Sequence, residues 1–145
     1  MITGAPPTAW AMGMPECLIT DLRESLAFRT GVLGFRIACS RPDQSFVCLE
    51  HPDGAQRMMY PRDGAWEMGA MERPFRRGVV FQVHVSDVDA MVWAVIGAGL
   101  PFCVQPRARW RHWGDRLGGQ SEFLVQDPDG FLGMVAQRIG EKPLD

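Results

Sequence analysis

The segment at positions 107–116, RARWRHWGDR, combines the two side-chain types that best recognise a flat anionic molecule. Guanidinium groups pair with carboxylates or phosphates as a fork, and indole rings offer a face for stacking. The segment contains Arg107, Arg109, Arg111, Arg116, Trp110, Trp113 and a single acid, Asp115. We expect these side chains to capture a ligand. The alternatives are a solvated surface whose tryptophans pack on the protein or a partner, and a weak nucleic-acid contact.

Signatures of other chemistry are weak. The sequence has no GxSxG motif, no P-loop and no GxGxxG ahead of a helix. Glu16 with Glu50 or Glu122 could form a carboxylate pair for acid–base chemistry, but one sequence does not fix their separation. The four cysteines, Cys17, Cys39, Cys48 and Cys103, show no CxxC spacing. Three of them lie in apolar runs typical of strands, which favours buried free thiols over disulfides or metal ligands.

Composition indicates one ordinary globular domain. A chain of 145 residues that is 46% hydrophobic and 22% charged has enough apolar side chains for a core. A net charge of −2 gives no overall electrostatic reason to bind nucleic acid or a membrane surface. No stretch approaches the roughly 20 apolar residues of a membrane span, and the N-terminus lacks the order of a signal peptide. We therefore expect a cytoplasmic protein.

Two strand-helix units with the same order of signals must position the candidate residues. CLITDLRESLAFRTGVLGF (17–35) predicts a strand, a helix after Asp21 and a stop at Gly34. VHVSDVDAMVWAVIGAGLPF (83–102) predicts the same, with Ser86 or Asp87 as N-cap. Each unit is followed by a strand and then by two strands that flank a Pro-Asp-Gly turn, in LEHPDG (49–54) and VQDPDG (125–130). The sequence thus predicts an internal duplication of a βαβββ unit.

We predict an α+β fold with one domain over residues 14–140. Its repeats span 14–60 and 79–137, and a connection covers 61–78. Residues 1–13, rich in Pro, Gly and Ala, are predicted to form a flexible arm whose Trp10 could dock on a neighbouring surface. Residues 141–145 are predicted to form a tail.

The sequence resembles the vicinal oxygen chelate superfamily, which includes glyoxalase I, extradiol dioxygenases and bleomycin resistance proteins. Three segments carry the resemblance over about residues 14–140: TDLRESLAFRTGVLGF, VHVSDVDAMVWAVIGAGLPF and GGQSEFLVQDPDGFLGMVAQRIG. It implies that two βαβββ modules form a cup-shaped mixed sheet with helices on its outer face, commonly completed in a homodimer. It also implies that segment 107–116 is a loop that contacts ligand.

Strand alternation predicts which residues line the cup. The more apolar, odd-numbered set should face the helices: Pro15, Cys17, Ile19, Phe81, Val83 and Val85. The even-numbered set should face the cup: Met14, Glu16, Leu18, Thr20, Val80, Gln82, His84 and Ser86.

The resemblance also identifies four places where metal enzymes of the superfamily carry their ligands. Here these places hold Met14, Met58, Val80 and Met134, none of which suits zinc or a hard divalent ion. We therefore predict no metal, no cofactor and no catalytic residue. The alternative is a metal-dependent enzyme, glyoxalase-like or dioxygenase-like, with relocated ligands such as Glu16 and His84. A more common role for a strand histidine is a hydrogen bond to a neighbour such as Glu16 or Gln82.

The bleomycin resistance proteins sequester their drug without a metal, so the resemblance implies a binding protein. The expected ligand-binding residues are Met14, Glu16, Met58, Tyr60, Gln82, His84, Trp110, Trp113 and Met134, with Phe123 as a possible addition. Methionine adapts its shape to irregular ligands, although these methionines could instead simply fill the sheet. The expected partners are a small hydrophobic, aromatic or anionic molecule and a second copy of the chain. Bleomycin is cationic, so the arginines of 107–116 favour an anionic ligand in its place.

Overall fold

The chain folds into two modules with the same order of elements, in a computed structural model that describes residues 9–64, 66–75 and 78–144. The first module contains β1 (Glu16–Ile19), α1 (Leu22–Gly31), β2 (Arg36–Arg41), a short 3-10 helix (Pro42–Gln44), β3 (Phe46–Glu50) and β4 (Gln56–Pro61). The second contains β5 (Val80–His84), α2 (Val88–Gly97), β6 (Phe102–Trp113), β7 (Arg116–Gln126) and β8 (Leu132–Pro143). The predicted duplication and the α+β class are confirmed.

Each module forms a four-stranded mixed sheet. The strand orders are β1-β4-β3-β2 and β5-β8-β7-β6, so the first strand of each module lies parallel to its last strand at one edge. The other pairs are antiparallel. This arrangement is the open two-module cup that the sequence predicts.

Local signals set the helix ends as predicted. The side chain of Asp21 accepts a hydrogen bond from the Glu24 amide at 2.9 Å, and that of Asp87 from the Ala90 amide at 3.0 Å. Each is an N-cap that satisfies an amide of the first turn. After α1, Gly34 adopts a positive φ of +71°, a conformation open to glycine at little cost, and the chain then turns into β2.

One core joins the two modules. Cys17, Ile19 and Val83, odd-numbered residues of β1 and β5, are buried in it as predicted, and Phe81 packs against it partly buried. It also contains residues from both helices, from the C-cap of α1 and from the later strands: Phe28, Val32, Val47, Leu49, Val95, Phe123, Val125 and Val135. We call this side of each sheet the helix face and the opposite side, which carries Glu16 and His84, the cup face.

The repeated Pro-Asp-Gly turns hold the two modules together. Asp53 of the first turn accepts hydrogen bonds from the Ser86 amide at 2.9 Å and from its hydroxyl at 3.2 Å. Asp129 of the second turn accepts from the Thr20 amide at 3.1 Å and from the Ser25 hydroxyl at 3.4 Å. Thr20 and Ser86 occupy equivalent places, just before the two N-cap aspartates. Each turn therefore binds the strand-to-helix junction of the other module.

Some boundaries differ from the prediction. Segment 107–116 is not a loop: Arg107 to Trp113 belong to β6, which turns at Gly114–Asp115 into β7. The strand was hard to recognise because residues 105–113 are exposed on both faces, so no alternation of apolar and polar residues marks it. The predicted tail is also wrong over 141–143, because β8 continues to Pro143; residue 145 lies outside the described residues.

The segment before β1 contacts the first module where it is described. The amide side chain of Gln56 donates to the Ala9 carbonyl at 3.0 Å and accepts from the Ala11 amide at 2.7 Å. Residues 1–8 of the predicted arm lie outside the described residues, as do residues 65, 76 and 77 of the connection. No described helix is long and apolar enough to cross a membrane.

Candidate functional site

The hairpin β6–β7 places most of the charged and aromatic candidate residues of the second module on its cup face. Trp113 pairs with Arg116 across a two-residue turn, in which Gly114 has a φ of +66°. The register places alternate residues of both strands on the cup face. Those residues are Arg107, Arg109, Arg111 and Trp113 of β6, and Arg116, Gly118, Gln120 and Glu122 of β7.

The cup face of the second module contains an open cleft of about 300 Å³. His84, Arg111, Trp113, Gln120 and Arg138 are among its lining residues. These five come from β5, β6, β7 and β8, so the cleft extends across the whole sheet. A cavity of this size, with an aromatic ring and several cationic donors, suits a small organic ligand.

Trp113 lies against the strand backbone at this cleft. A Cβ atom added to Gly118 would lie only 2.7 Å from Cε3 of the indole, so the ring can approach because that position has no side chain. The Arg138 guanidinium carbon lies 5.1 Å from the ring centroid, within cation–π range. The Trp113 side chain nevertheless remains 57% exposed. It is an aromatic surface held in place and still accessible to a ligand.

Trp110 lies on the opposite side of the same hairpin. It pairs with Gly119, whose added Cβ would be 2.7 Å from the Trp110 ring, and Lys142 Nζ lies 4.9 Å from the ring centroid. The structure therefore does not bring Trp110 together with Trp113, although the sequence analysis grouped them. Phe123 is also on the helix face, with no exposed surface, where its ring contacts Phe102 edge-on at 5.4 Å. It cannot contact a ligand in the cup.

Glu122 lies beneath the arginines and is fully buried. Its Oε1 accepts from Arg111 Nη2 at 2.8 Å and lies 3.7 Å from Arg107 Nη2, while Oε2 has no hydrogen-bond partner among the described residues. The hydrogen bond from Arg111 holds the pKa of Glu122 below its usual value, although burial acts in the other direction. The carboxylate fixes the positions of two guanidiniums beside the cleft.

We expect Glu122→Gln to lower the free energy of unfolding at pH 7 by about 2 kcal/mol, since it removes a charged hydrogen bond. Because the folded-state pKa is depressed, this contribution is fully present above the unfolded pKa of about 4.3 and is lost as the pH falls through the folded value. The gap between wild type and variant should thus stay constant above about pH 5 and close as the pH falls from there through the depressed folded-state pKa. Urea unfolding across this range measures it, and a gap that does not close at low pH would contradict the assignment.

The first module has a separate apolar cluster on its cup face. Buried Cys39, Phe46 and Cys48 pack with partly buried Met14, Met58 and Tyr60. The Tyr60 ring stacks on Trp66 with centroids 6.0 Å apart, and both rings line a cleft of about 250 Å³ with Glu16 and Arg41. This module therefore offers aromatic and thioether surface but a single arginine at the cleft.

The thiols follow the prediction in part. Cys17, Cys39 and Cys48 are buried and free, and Cys103 is free but exposed. Burial, followed by the neighbouring Cys39 thiol, raises the pKa of Cys48 to about 12. Such a thiol is a core residue without nucleophilic reactivity at neutral pH.

The four positions implied for metal ligands, Met14, Met58, Val80 and Met134, lie in different surroundings. Met14 and Met58 pack in the first-module cluster, while Val80 is exposed on β5 and Met134 pairs with Gln82 in the neighbouring strand. Among the described residues, no three His, Cys, Asp or Glu side chains come together as a metal site would require.

The two residues considered as relocated ligands lie on different sheets, because Glu16 is on β1 and His84 on β5. His84 Nε2 lies 3.1 Å from the Gln82 amide nitrogen, which is one of the neighbouring hydrogen bonds predicted for it.

The predicted ligand residues thus fall into two groups and one outlier. Met14, Glu16, Met58 and Tyr60 share the cup face of the first module, and Gln82, His84, Trp113 and Met134 share that of the second. Trp110 is the outlier. Sequence reasoning missed Arg138 and Gln120, and it considered Glu122 only as a member of a carboxylate pair, not as a support for the arginines. Alternation about the Gly-Asp turn could have placed Gln120 and Glu122 on the Trp113 face.

Comparisons with known proteins identify the fold. No family model and no curated protein matches the sequence. Solved structures do match: TioX from Micromonospora sp. ML1 is 19% identical with a TM-score of 0.66, over 90% of this chain and 100% of that one. A virulence protein from Salmonella typhimurium is 19% identical with a TM-score of 0.65, over 92% and 100%.

A third structure carries the superfamily description. A glyoxalase/bleomycin resistance protein/dioxygenase from Alicyclobacillus acidocaldarius is 20% identical to this chain with a TM-score of 0.60, over 90% of this chain and 92% of that one. These matches confirm, at the level of the fold, the resemblance predicted from the sequence.

Proposed function

We propose that this protein, which has the fold of the glyoxalase/bleomycin resistance/dioxygenase superfamily, is a metal-free binding protein that sequesters a small aromatic anion. The observation that supports this function is the cleft of about 300 Å³ in which Trp113 adjoins the guanidiniums of Arg111 and Arg138. A stacking surface beside cationic forks matches a planar ring that carries a carboxylate, sulfonate or phosphate.

Charge on the hairpin supports an anionic ligand over a cationic one. The cup face of β6, β7 and β8 carries five arginines against two glutamates: Arg107, Arg109, Arg111, Arg116 and Arg138 against Glu122 and Glu141. The surplus positive charge would accelerate association of an anion and repel a cation such as bleomycin.

The apolar part of the affinity would come from aromatic and thioether surface. Trp113 and Met134 supply it in the second module, and Met58, Tyr60 and Trp66 in the first. Burial of about 200 Å² of apolar ligand surface corresponds to about 5 kcal/mol. We propose that a second copy of the chain completes the cup by covering the ligand with its first-module cup face.

Thermal unfolding of metal-stripped protein tests the proposal. We expect no change in the midpoint with Zn²⁺, Ni²⁺, Mn²⁺ or Fe²⁺ or with bleomycin, and a rise with anilinonaphthalene sulfonate, an anionic aromatic probe. At a concentration 100 times its Kd, a ligand stabilises by about 2.7 kcal/mol, or about 8 °C for a domain of this size. The uncharged N-phenylnaphthylamine is the control and should raise the midpoint much less.

A metal-dependent enzyme would give the opposite pattern. Its midpoint would rise with one metal, and its turnover would disappear on chelation and in His84→Ala. That result would overturn the binding function.

A further inference from the structure

Arg57 on β4 is a buried cation at the boundary between the modules. It is 6% exposed, and its guanidinium carbon lies 4.3 Å from the ring centroid of Phe81 and 6.0 Å from that of Phe35. The two rings come from different modules. Contact with rings engages the flat faces of a guanidinium and leaves its in-plane N–H groups without acceptors. Among the described residues, no atom accepts a hydrogen bond from this side chain.

The neighbouring charges do not neutralise Arg57. The nearby carboxylate, Asp127, is occupied by Arg29 Nη2 at 2.6 Å and by the amides of Asp129 and Phe131. Arg29 is itself fully buried, and its Nε and Nη1 have no partner among the described residues. Two buried guanidiniums therefore share one carboxylate, which leaves an uncompensated positive charge. Burial lowers the pKa of Arg57, as expected for a desolvated cation.

A groove of about 320 Å³ lies at this charge. Arg57 lines it together with both segments that meet at the module boundary, including Gly13, Pro15, Ala55, Phe81 and Val83. The groove runs beside β5, an edge strand of its sheet. Its lining combines apolar side chains, among them Phe35 and Phe81, with polar surface that includes Gln56, Gln82 and the Arg57 guanidinium, which lies close to both rings. None of the residues lining the Trp113 cleft lines this groove.

We propose that this groove binds a small organic carboxylate through a forked pair with Arg57. A single guanidinium supplies the two parallel donors that one carboxylate accepts. A phosphate would need further donors to replace its hydration, and the rings of Phe35 and Phe81 in the lining suit a carboxylate with an aromatic body. The site does not depend on the function proposed for the Trp113 cleft.

Sodium benzoate is the probe, and thermal unfolding with isothermal titration is the measurement. We expect benzoate to raise the wild-type midpoint beyond sodium chloride or inorganic phosphate at equal ionic strength. Arg57→Met, which removes the uncompensated charge at similar volume, should fold without a lower midpoint and bind benzoate at least tenfold more weakly. Arg57→Lys keeps the positive charge but lacks the two parallel donors of a guanidinium, and it should also bind benzoate at least tenfold more weakly. In wild-type protein, the Arg57 Nε–H resonance should shift during the titration.

Arg138→Met is the matched control, because it removes an arginine from the other cleft. It should keep the benzoate response while losing affinity for anilinonaphthalene sulfonate. The proposal is overturned if benzoate leaves the wild-type midpoint and the Nε–H signal unchanged, if phosphate acts as strongly, or if Arg57→Met binds like wild type. A benzoate response lost in Arg138→Met and kept in Arg57→Met would place the anion at the Trp113 cleft, overturning this site alone.

Discussion

Asp127→Ala is expected to lower the free energy of unfolding by about 3–5 kcal/mol, the cost of breaking a buried ion pair from one side. Its carboxylate accepts from Arg29 Nη2 at 2.6 Å and from the amides of Asp129 and Phe131 at 3.0 and 2.8 Å. Loss of this carboxylate leaves the guanidinium of Arg29 buried without an anion, in a core that already contains Arg57. Urea unfolding at pH 7 gives the change directly.

The matched control is Asp53→Ala, in the turn of the other module. Asp53 is partly exposed and holds Ser86, so its removal should cost about 1 kcal/mol. In an Arg29→Met background, Asp127→Ala should lower the free energy of unfolding by at least about 2 kcal/mol less, because no buried guanidinium then loses its anion. If Asp53→Ala and Asp127→Ala lower the free energy of unfolding equally, or if Asp127→Ala costs as much in the Arg29→Met background as in wild type, the ion pair is not the main contribution of Asp127 to stability.

Local structure could be predicted wherever neighbouring residues determine it. The caps Asp21 and Asp87 act within three residues, and Gly54 and Gly130 take the positive φ that their turns require. Alternation also placed the residues of β1 and β5 on the correct faces, because one face of each strand is buried. These features sufficed for the βαβββ duplication and for the α+β class.

Contacts between distant segments could not be predicted. The Arg29–Asp127 pair joins residues 98 positions apart, and the hydrogen bonds that Asp53 and Asp129 accept cross between modules. An isolated arginine in a helix, such as Arg29, is predicted to lie on the surface as long as its partner is unknown, because unpaired arginines are rarely buried. The role of the repeated turn, to bind the other module's strand-to-helix junction, therefore emerged from the structure.

That residues 107–113 form a strand was also beyond the sequence. The register of β6 against β7 shifts twice, between Phe102 and Val104 and again between Val104 and Arg107, so the start of the strand is irregular. Beyond that point the strand is exposed on both sides, and no alternation of apolar and polar residues marks it. Because the segment was predicted to be a loop, Trp110 and Trp113 were grouped, although they lie on opposite faces of the strand.

That separation makes the two tryptophans an internal test of the binding face. Trp113→Ala should weaken binding of anilinonaphthalene sulfonate about 30-fold, since loss of a stacking ring costs about 2 kcal/mol. Trp110→Ala removes an equal ring from the opposite face and should change the affinity less than threefold. Fluorescence titration measures both, and circular dichroism with size-exclusion chromatography checks that each variant keeps its fold and assembly.

A second pair of variants displaces each ring without removing it. In Gly118→Ala the new methyl group would lie 2.7 Å from Trp113, and in Gly119→Ala it would lie 2.7 Å from Trp110, so each change forces one indole to move. We expect weaker binding from the first and near-normal binding from the second. If Trp113→Ala instead yields unfolded protein while Gly118→Ala binds normally, the ring is structural and the cleft is not the ligand site. If both faces respond equally, the ligand lies where two hairpins meet in a dimer, and affinity and assembly should then fall together.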